Sequence, residues 1–122
     1  MPCPQRRKIK MKKIEAIIRP EKLEAVRKAL EKVSYSGLMI TEIEGHGKQK
    51  GVVQQWRGEK YRVELLPKIK VELVIKDNEV EPVIKSIIEN AKTDAVGDGK
   101  IFVYNIEDVV RIRTNERGEK AI

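Results

Sequence analysis

Between Val96 and Lys100 the chain reads VGDGK, and beyond it lie two arginines two positions apart, Arg111 and Arg113. Glycines placed this closely can aim backbone N–H groups at an anion. A Walker A loop is excluded, because Ile101 stands where Ser or Thr must follow the lysine. Taken alone, a plain tight turn accounts for the glycines equally well. On an extended segment Arg111 and Arg113 point the same way, and a short sheet could bring them near the turn. Two guanidiniums with Lys100 then make a polyphosphate cradle; the bland alternative is a pair of solvated charges guarding a sheet edge. His46 is the only histidine. It completes neither a Ser/His/Asp nor a Cys/His set, and no cluster has metal-ligand spacing. The only cysteine, Cys3, lies at the extreme N-terminus, which leaves neither a disulfide framework nor a Cys-based metal site.

These residues need elements to hold them. KKIEAIIRP (12–20) is short, Ile-rich and stopped by Pro20, which predicts a strand. Residues 21–33 place Leu23, Val26, Leu30 and Val33 at helical spacing, with acids early and Lys32 late. LMITEIE (38–44) alternates as a second strand, with Glu42 and Glu44 on its wet side. YRVELLPKIKVELVIK (61–76) alternates as a third, and Pro67 inside it implies an edge or a bend. Val80, Val83, Ile84, Ile87, Ile88 and Ala91 form a second helical stripe over 79–91. IFVYNI (101–106) is a fourth strand and VVRIRT (109–114) a last extended piece. The order predicts an α+β ferredoxin-like βαββαβ sandwich, with two helices on one face of a four-stranded antiparallel sheet.

One stretch does not fit that economy. Residues 45–68, GHGKQKGVVQQWRGEKYRVELLPK, are too polar and Gly-rich for a strand and too long for the few residues a hairpin needs. The long loop, about 46–62, is expected to be functional. Its Trp56 and Tyr61, set among basic residues, mark a contact surface.

The chain has 122 residues, 40% of them hydrophobic and 37% charged, with a formal net charge of +7. That length implies one domain. The positive surplus is local: Arg6, Arg7, Lys8 and Lys10 crowd the start, and Lys48, Lys50, Arg57, Lys60 and Arg62 crowd the loop. A general nucleic-acid surface, which spreads basic residues over one face, is not indicated. No apolar run approaches the roughly 18 residues of a membrane span, and the start lacks the apolar core of a signal peptide. A cytoplasmic protein is expected.

The segments MKKIEAIIRPEKLEAVRKAL, WRGEKYRVELLPKIKVELVI and VGDGKIFVYNIEDVVRIRT together resemble the PII family of nitrogen-signalling proteins, from Met11 almost to the C-terminus. Residues 1–10 fall outside the resemblance, as an extension expected to be disordered; residues 11–122 would be the PII domain. The resemblance implies a homotrimer that binds ATP or ADP between subunits. Gly97, Asp98, Gly99 and Lys100 match its phosphate turn, and Arg111 and Arg113 match arginines reaching over from a neighbouring chain. Ile17, Glu72 and Val74 match positions near the base, where Met39 stands in place of a common Thr. Gln49 matches a glutamine holding Mg²⁺, to which 2-oxoglutarate chelates, with Gly47, Lys48 and Gly97 beside it and Lys68 pairing with the acid. Tyr61 matches a tyrosine modified in some bacterial members. Arg57 matches the arginine that GlnK-type members insert into an ammonium transporter, which implies reversible recruitment to the membrane. Glutamine synthetase or another nitrogen enzyme is the alternative partner. No catalytic role is implied. Two other readings are a ferredoxin-like RNA-binding module using Phe102 and Tyr104, and a phosphoryl-transfer enzyme using His46.

Overall fold

The computed structural model describes residues 11–33, 37–56 and 59–122, and describes side chains within them outside 45–65. The extension 1–10 and Arg57 lie outside the described residues. Strand β1 (Met11–Ile18) passes through a 3₁₀ turn (Pro20–Lys22) into helix α1 (Leu23–Val33). Strands β2 (Met39–Trp56) and β3 (Glu59–Lys76) follow, then a 3₁₀ turn (Asp77–Glu79), helix α2 (Val80–Ala91) and strand β4 (Lys100–Ile106). The sheet has the order β2-β3-β1-β4, antiparallel throughout.

Alternation along the strands decides which face is covered. Ile14, Ala16 and Ile18 pair in register with Leu73, Val71 and Ile69, so the apolar positions of β1 and β3 fall on one face. That face, with Val26 and Leu30 of α1 and Val83, Ile87 and Ala91 of α2, forms the buried core. The helix residues recur at four-residue intervals, which keeps each set on one side of its helix. The margins of the stripes are less covered: Val33 is 41% exposed and Ile88 47%.

The opposite face of the sheet is open and carries the candidate site. Across it Met39 pairs with Glu72, Glu72 with Glu15, and Glu15 with Phe102. The next row joins Thr41, Lys70, Ile17 and Lys100. Lys13 and Lys70 bridge Glu72 at 3.0 and 3.2 Å, and Tyr104 donates its hydroxyl to Glu15.

Two sequence expectations change. The long connection between the second and third strands is an extended ribbon rather than an irregular loop. Its backbone pairing runs from Glu44↔Pro67 out to Trp56↔Glu59, broken only where Gln49↔Arg62 gives way to Gln54↔Tyr61. Main-chain pairing needs no apolar alternation, so a Gly-rich polar sequence can still satisfy its backbone in a two-stranded ladder. Because β1 stops at Ile18↔Ile69, the nine residues of β3 before Lys68 have only β2 beside them and extend for about 30 Å at strand rise. Pro67 falls on this one-sided stretch, where a missing N–H is tolerated. The second change concerns 109–114. This piece is a turn rather than a strand: Val110 bridges Arg117, Arg111 N–H donates to the Glu116 carbonyl at 2.9 Å, and Asn115 stands at φ 62°. Asn tolerates that left-handed backbone and closes the bend.

Candidate functional site

Helix α2 ends at Ala91, and the eight residues from Lys92 to Gly99 carry the chain back to β4. Asp98 organises this turn. Its Oδ2 accepts the Thr93 and Asp94 backbone N–H groups at 2.8 and 3.0 Å. Its Oδ1 accepts the Thr93 hydroxyl and Arg19 Nε, the latter at 3.1 Å. Held chiefly by the Thr93 hydroxyl and backbone, and then by Arg19 and the Asp94 N–H, the carboxyl titrates far below the usual carboxylate range. It is therefore ionised at every physiological pH, with its oxygens turned inward on the turn.

On either side of Asp98, Gly97 and Gly99 take φ of 99° and 103°, a backbone that other residues adopt only under strain. A β-carbon on Gly99 would lie 1.7 Å from the Ile17 carbonyl oxygen, so the turn rests directly on the end of β1. Two cations fasten its outer carbonyls: Arg19 Nη2 donates to Val96 O at 2.8 Å, and Lys68 Nζ donates to Gly97 O. Lys100 follows at the first position of β4, exposed and opposite Ile17 in the ladder. The result is a curled backbone with Arg19, Lys68 and Lys100 around its glycines, Asp98 internally satisfied and Asp94 paired with Lys92 at 3.2 Å, a form suited to phosphate.

Beside the turn a cleft of about 390 Å³ runs along β4, with Gly99, Lys100 and Ile17 at one end and Ile84, Ile88 and Val103 as an apolar wall. Sequence reasoning assigned Ile84 and Ile88 to a helix stripe and gave Val103 no role; the wall arises because the stripe overhangs the sheet edge. It also missed Arg19 and Thr93 as parts of the turn.

The other expected residues fall into four groups. Ile17, Met39, Glu72, Val74 and Lys100 share the open face, with Glu72 engaged by Lys13 and Lys70, which hold its carboxyl below its usual range. Lys68 and Gly97 are in direct contact. Gly47, Lys48 and Gln49 pair with Glu64, Val63 and Arg62 along the ribbon, and Tyr61 with Gln54; the side chains of these loop residues, with those of His46 and Trp56, lie outside the described residues. Arg111 and Arg113 are not joined to the glycine turn by any hydrogen bond or ion pair among the described residues. Arg111 instead binds Glu116 at 2.8 Å and the Lys120 carbonyl at 3.1 Å. The reason is topological: the glycine turn precedes β4 and the arginines follow it, and the seven residues of that strand span about 20 Å. No group of three or more His, Cys, Asp or Glu side chains stands ready for a metal among the described residues. No described helix is long and apolar enough to cross a membrane.

A ferredoxin-like sandwich with an anion-shaped turn at the head of β4 and a projecting β2–β3 ribbon is the class of protein that this geometry defines. The chain belongs to the nitrogen regulatory protein P-II family, which it matches over residues 11–116. It is 50% identical over 112 residues to nitrogen regulatory protein P-II 2 of Methanothermobacter thermautotrophicus, covering 92% of this chain and 97% of that one. Among solved structures, it resembles the Bacillus subtilis GlnK–ATP complex, with TM-score 0.78, 32% identity and coverage of 93% and 97% of the two chains. It also resembles Arabidopsis thaliana PII bound to citrate, with TM-score 0.76, 41% identity and coverage of 93% and 92%.

Membership makes the protein a nitrogen-signalling regulator and not an enzyme. The RNA-binding reading is not favoured by this membership.

Proposed function

We propose that this regulator binds ATP or ADP at the glycine turn, takes up 2-oxoglutarate beside it, and controls an ammonium transporter through the β2–β3 ribbon. The observation that carries the reading is the turn itself. Gly97 and Gly99 are held in a phosphate-compatible curve while Asp98 is satisfied internally, so Lys100 and the backbone face an incoming anion without an opposing free carboxylate. The ATP carried by the Bacillus GlnK relative and the citrate carried by the Arabidopsis one support a nucleotide and a carboxylate effector here.

Within residues 11–122 as the working domain, Ile17, Met39, Glu72 and Val74 would lie toward the base, and Gly97–Lys100 would hold the phosphates. Mg²⁺, held by phosphate oxygens and Gln49, would supply the electrophilic centre on which 2-oxoglutarate chelates, with Gly47, Lys48 and Gly97 around it. Lys68 already reaches Gly97 and would exchange that carbonyl for a carboxylate of the acid. The ribbon leaves the sheet at Lys68, whereas Gln49 pairs with Arg62, about 20 Å further out at strand rise, so bringing both to one acid would bend the ribbon back and bias its conformation. Trp56, Arg57 and Tyr61 would then meet the transporter, with Tyr61 open to modification, and the protein would move between cytoplasm and membrane.

The topology of β4 supports a site shared between copies of the chain, which we take to assemble as a homotrimer. Arg111 and Arg113 follow the strand end remote from the turn, so a neighbouring chain is the natural source of the arginines at each phosphate site. Calorimetry tests this. Arg111→Ala and Arg113→Ala are each expected to weaken ATP binding, since a lost charge-assisted hydrogen bond costs roughly 1.5–3 kcal/mol, about 10–150-fold in affinity. Unchanged affinity in both variants would mean that the arginines serve only the C-terminal segment, as the Arg111–Glu116 pair does.

A further inference from the structure

A turn built on two positive-φ glycines has little of its own to hold its shape, because glycine gives up more backbone freedom on ordering than any other residue. The restraint must come from outside the glycines, and three side chains supply it, Thr93 and Asp98 from the turn itself and Arg19 from the end of β1. Arg19 follows the end of β1 in an extended conformation (φ −68°, ψ 140°), as the residue before Pro20 must. Its guanidinium then spans the turn: Nε meets Asp98 and Nη2 meets the Val96 carbonyl, so one side chain ties both flanks of Gly97. Thr93, just past α2, closes on the same carboxylate through both its hydroxyl and its backbone N–H. Arg19 and Asp98 are each about three-quarters covered, with side-chain exposures of 25% and 23%.

The charge arithmetic runs the same way. Asp98 sits between the two glycines, where an unbalanced carboxylate would repel phosphate. Arg19 offsets its charge, and the four hydrogen bonds to its oxygens spend them on the turn, although the residue borders the cleft.

We propose that Arg19, Thr93 and Asp98 form a clamp that sets the anion-binding shape of the Gly97–Lys100 turn, with Arg19 as a positioning residue that acts on phosphate through the turn. Asp98 then belongs to the clamp, its oxygens spent on the turn itself. The role is one that lysine fills poorly, since only a planar fork reaches two acceptors at fixed separation. The inference rests on the reading of this turn as the nucleotide phosphate site.

The clamp makes its effect specific to phosphates. In Arg19→Gln, ATP and ADP with Mg²⁺ should bind about tenfold more weakly, while adenosine, which has no phosphate to place, stays within about twofold. Arg19→Lys should recover only part of the loss, keeping the charge but not the fork. Thr93→Val, close to isosteric but without the hydroxyl, should shift ATP affinity in the same direction without touching Arg19. It carries the test alone if thermal unfolding shows that Arg19→Gln does not fold. ATP affinity unchanged in every folded variant, or ATP and adenosine weakened in parallel, would overturn the clamp. Wild-type protein that binds no ATP at all would overturn the nucleotide reading itself, and the two failures are thereby distinct.

Discussion

Gly99→Ala is expected to lower the unfolding temperature by about 10 °C or more and to abolish measurable ATP binding. The new β-carbon would sit 1.7 Å from the Ile17 carbonyl oxygen and 2.8 Å from its carbonyl carbon, both main-chain atoms of a paired strand. A side chain could swing aside; β1 cannot without breaking its ladder with β3 or β4. To this is added the cost of a non-glycine residue at φ 103°, roughly 1–3 kcal/mol. Together these come to about 3 kcal/mol or more, and in a chain of this size each kcal/mol moves the midpoint by about 3–5 °C. Gly97→Ala provides the contrast. Its φ of 99° carries similar strain, but the nearest atom to an added β-carbon is Arg19 Nη2 at 3.3 Å, the end of a flexible side chain. Its thermal cost should be clearly smaller. Thermal unfolding at matched protein concentration, followed by ATP calorimetry, checks both. A Gly99→Ala protein that melts with wild type would show that the turn does not rest on β1.

Leu73→Ala should cost about 2–5 kcal/mol, the range for emptying a fully buried leucine site. Leu73 is 0% exposed and pairs with Ile14, also 0% exposed, on the covered face of the two central strands. A domain of this kind has about 5–15 kcal/mol in all, so the loss takes a large share of its stability. The neighbouring residue in sequence, Glu72, faces the open side and belongs to the candidate site. One strand thus carries core and site on alternate residues, and loosening the first should broaden the geometry of the second. Denaturant unfolding gives the number; a midpoint unchanged from wild type would mean that the core is centred elsewhere. Ile88, 47% exposed at the edge of its stripe, should lose far less on truncation to Ala.

How much of this could be read without coordinates follows from the range of the interactions. Local periodicity carried β1 and both helices, because each buries residues at a spacing that its own geometry fixes; β4 was legible as a short apolar run behind the glycine turn. The glycine turn was legible for the same reason, as a short run with its own backbone chemistry. The ribbon was not, since its pairing rests on main-chain hydrogen bonds that leave no side-chain pattern; Gly45 and Gly47 hide a ladder that continues from Glu44. Val109, Val110 and Ile112 suggest an extended segment over 109–114. Its direction is set instead by Asn115 and the Arg111–Glu116 pair, which lie at and beyond its end. Least legible was the clamp: Arg19 meets Asp98 across 79 positions, and neither residue type is unusual where it stands. Contacts of that separation exist only once β1 and β4 are neighbours. The same limit applies to Arg111 and Arg113, whose type suggests phosphate while their place in one chain puts β4 between them and the turn.

Calorimetric titration of 2-oxoglutarate into the wild-type protein, with and without saturating ATP and Mg²⁺, tests the central claim most directly. The claim is that the glycine turn, the metal-chelated acid and the ribbon root at Lys68 form one coupled site. The acid should therefore bind only when ATP and Mg²⁺ are both present, and it should raise the affinity for ATP by the same factor by which ATP raises its own, as linkage requires. Lys68→Ala should remove the acid's heat, and lower ATP affinity only as far as the lost Gly97 contact loosens the turn. Equal 2-oxoglutarate binding with and without ATP, or no ATP binding at all, would contradict the account.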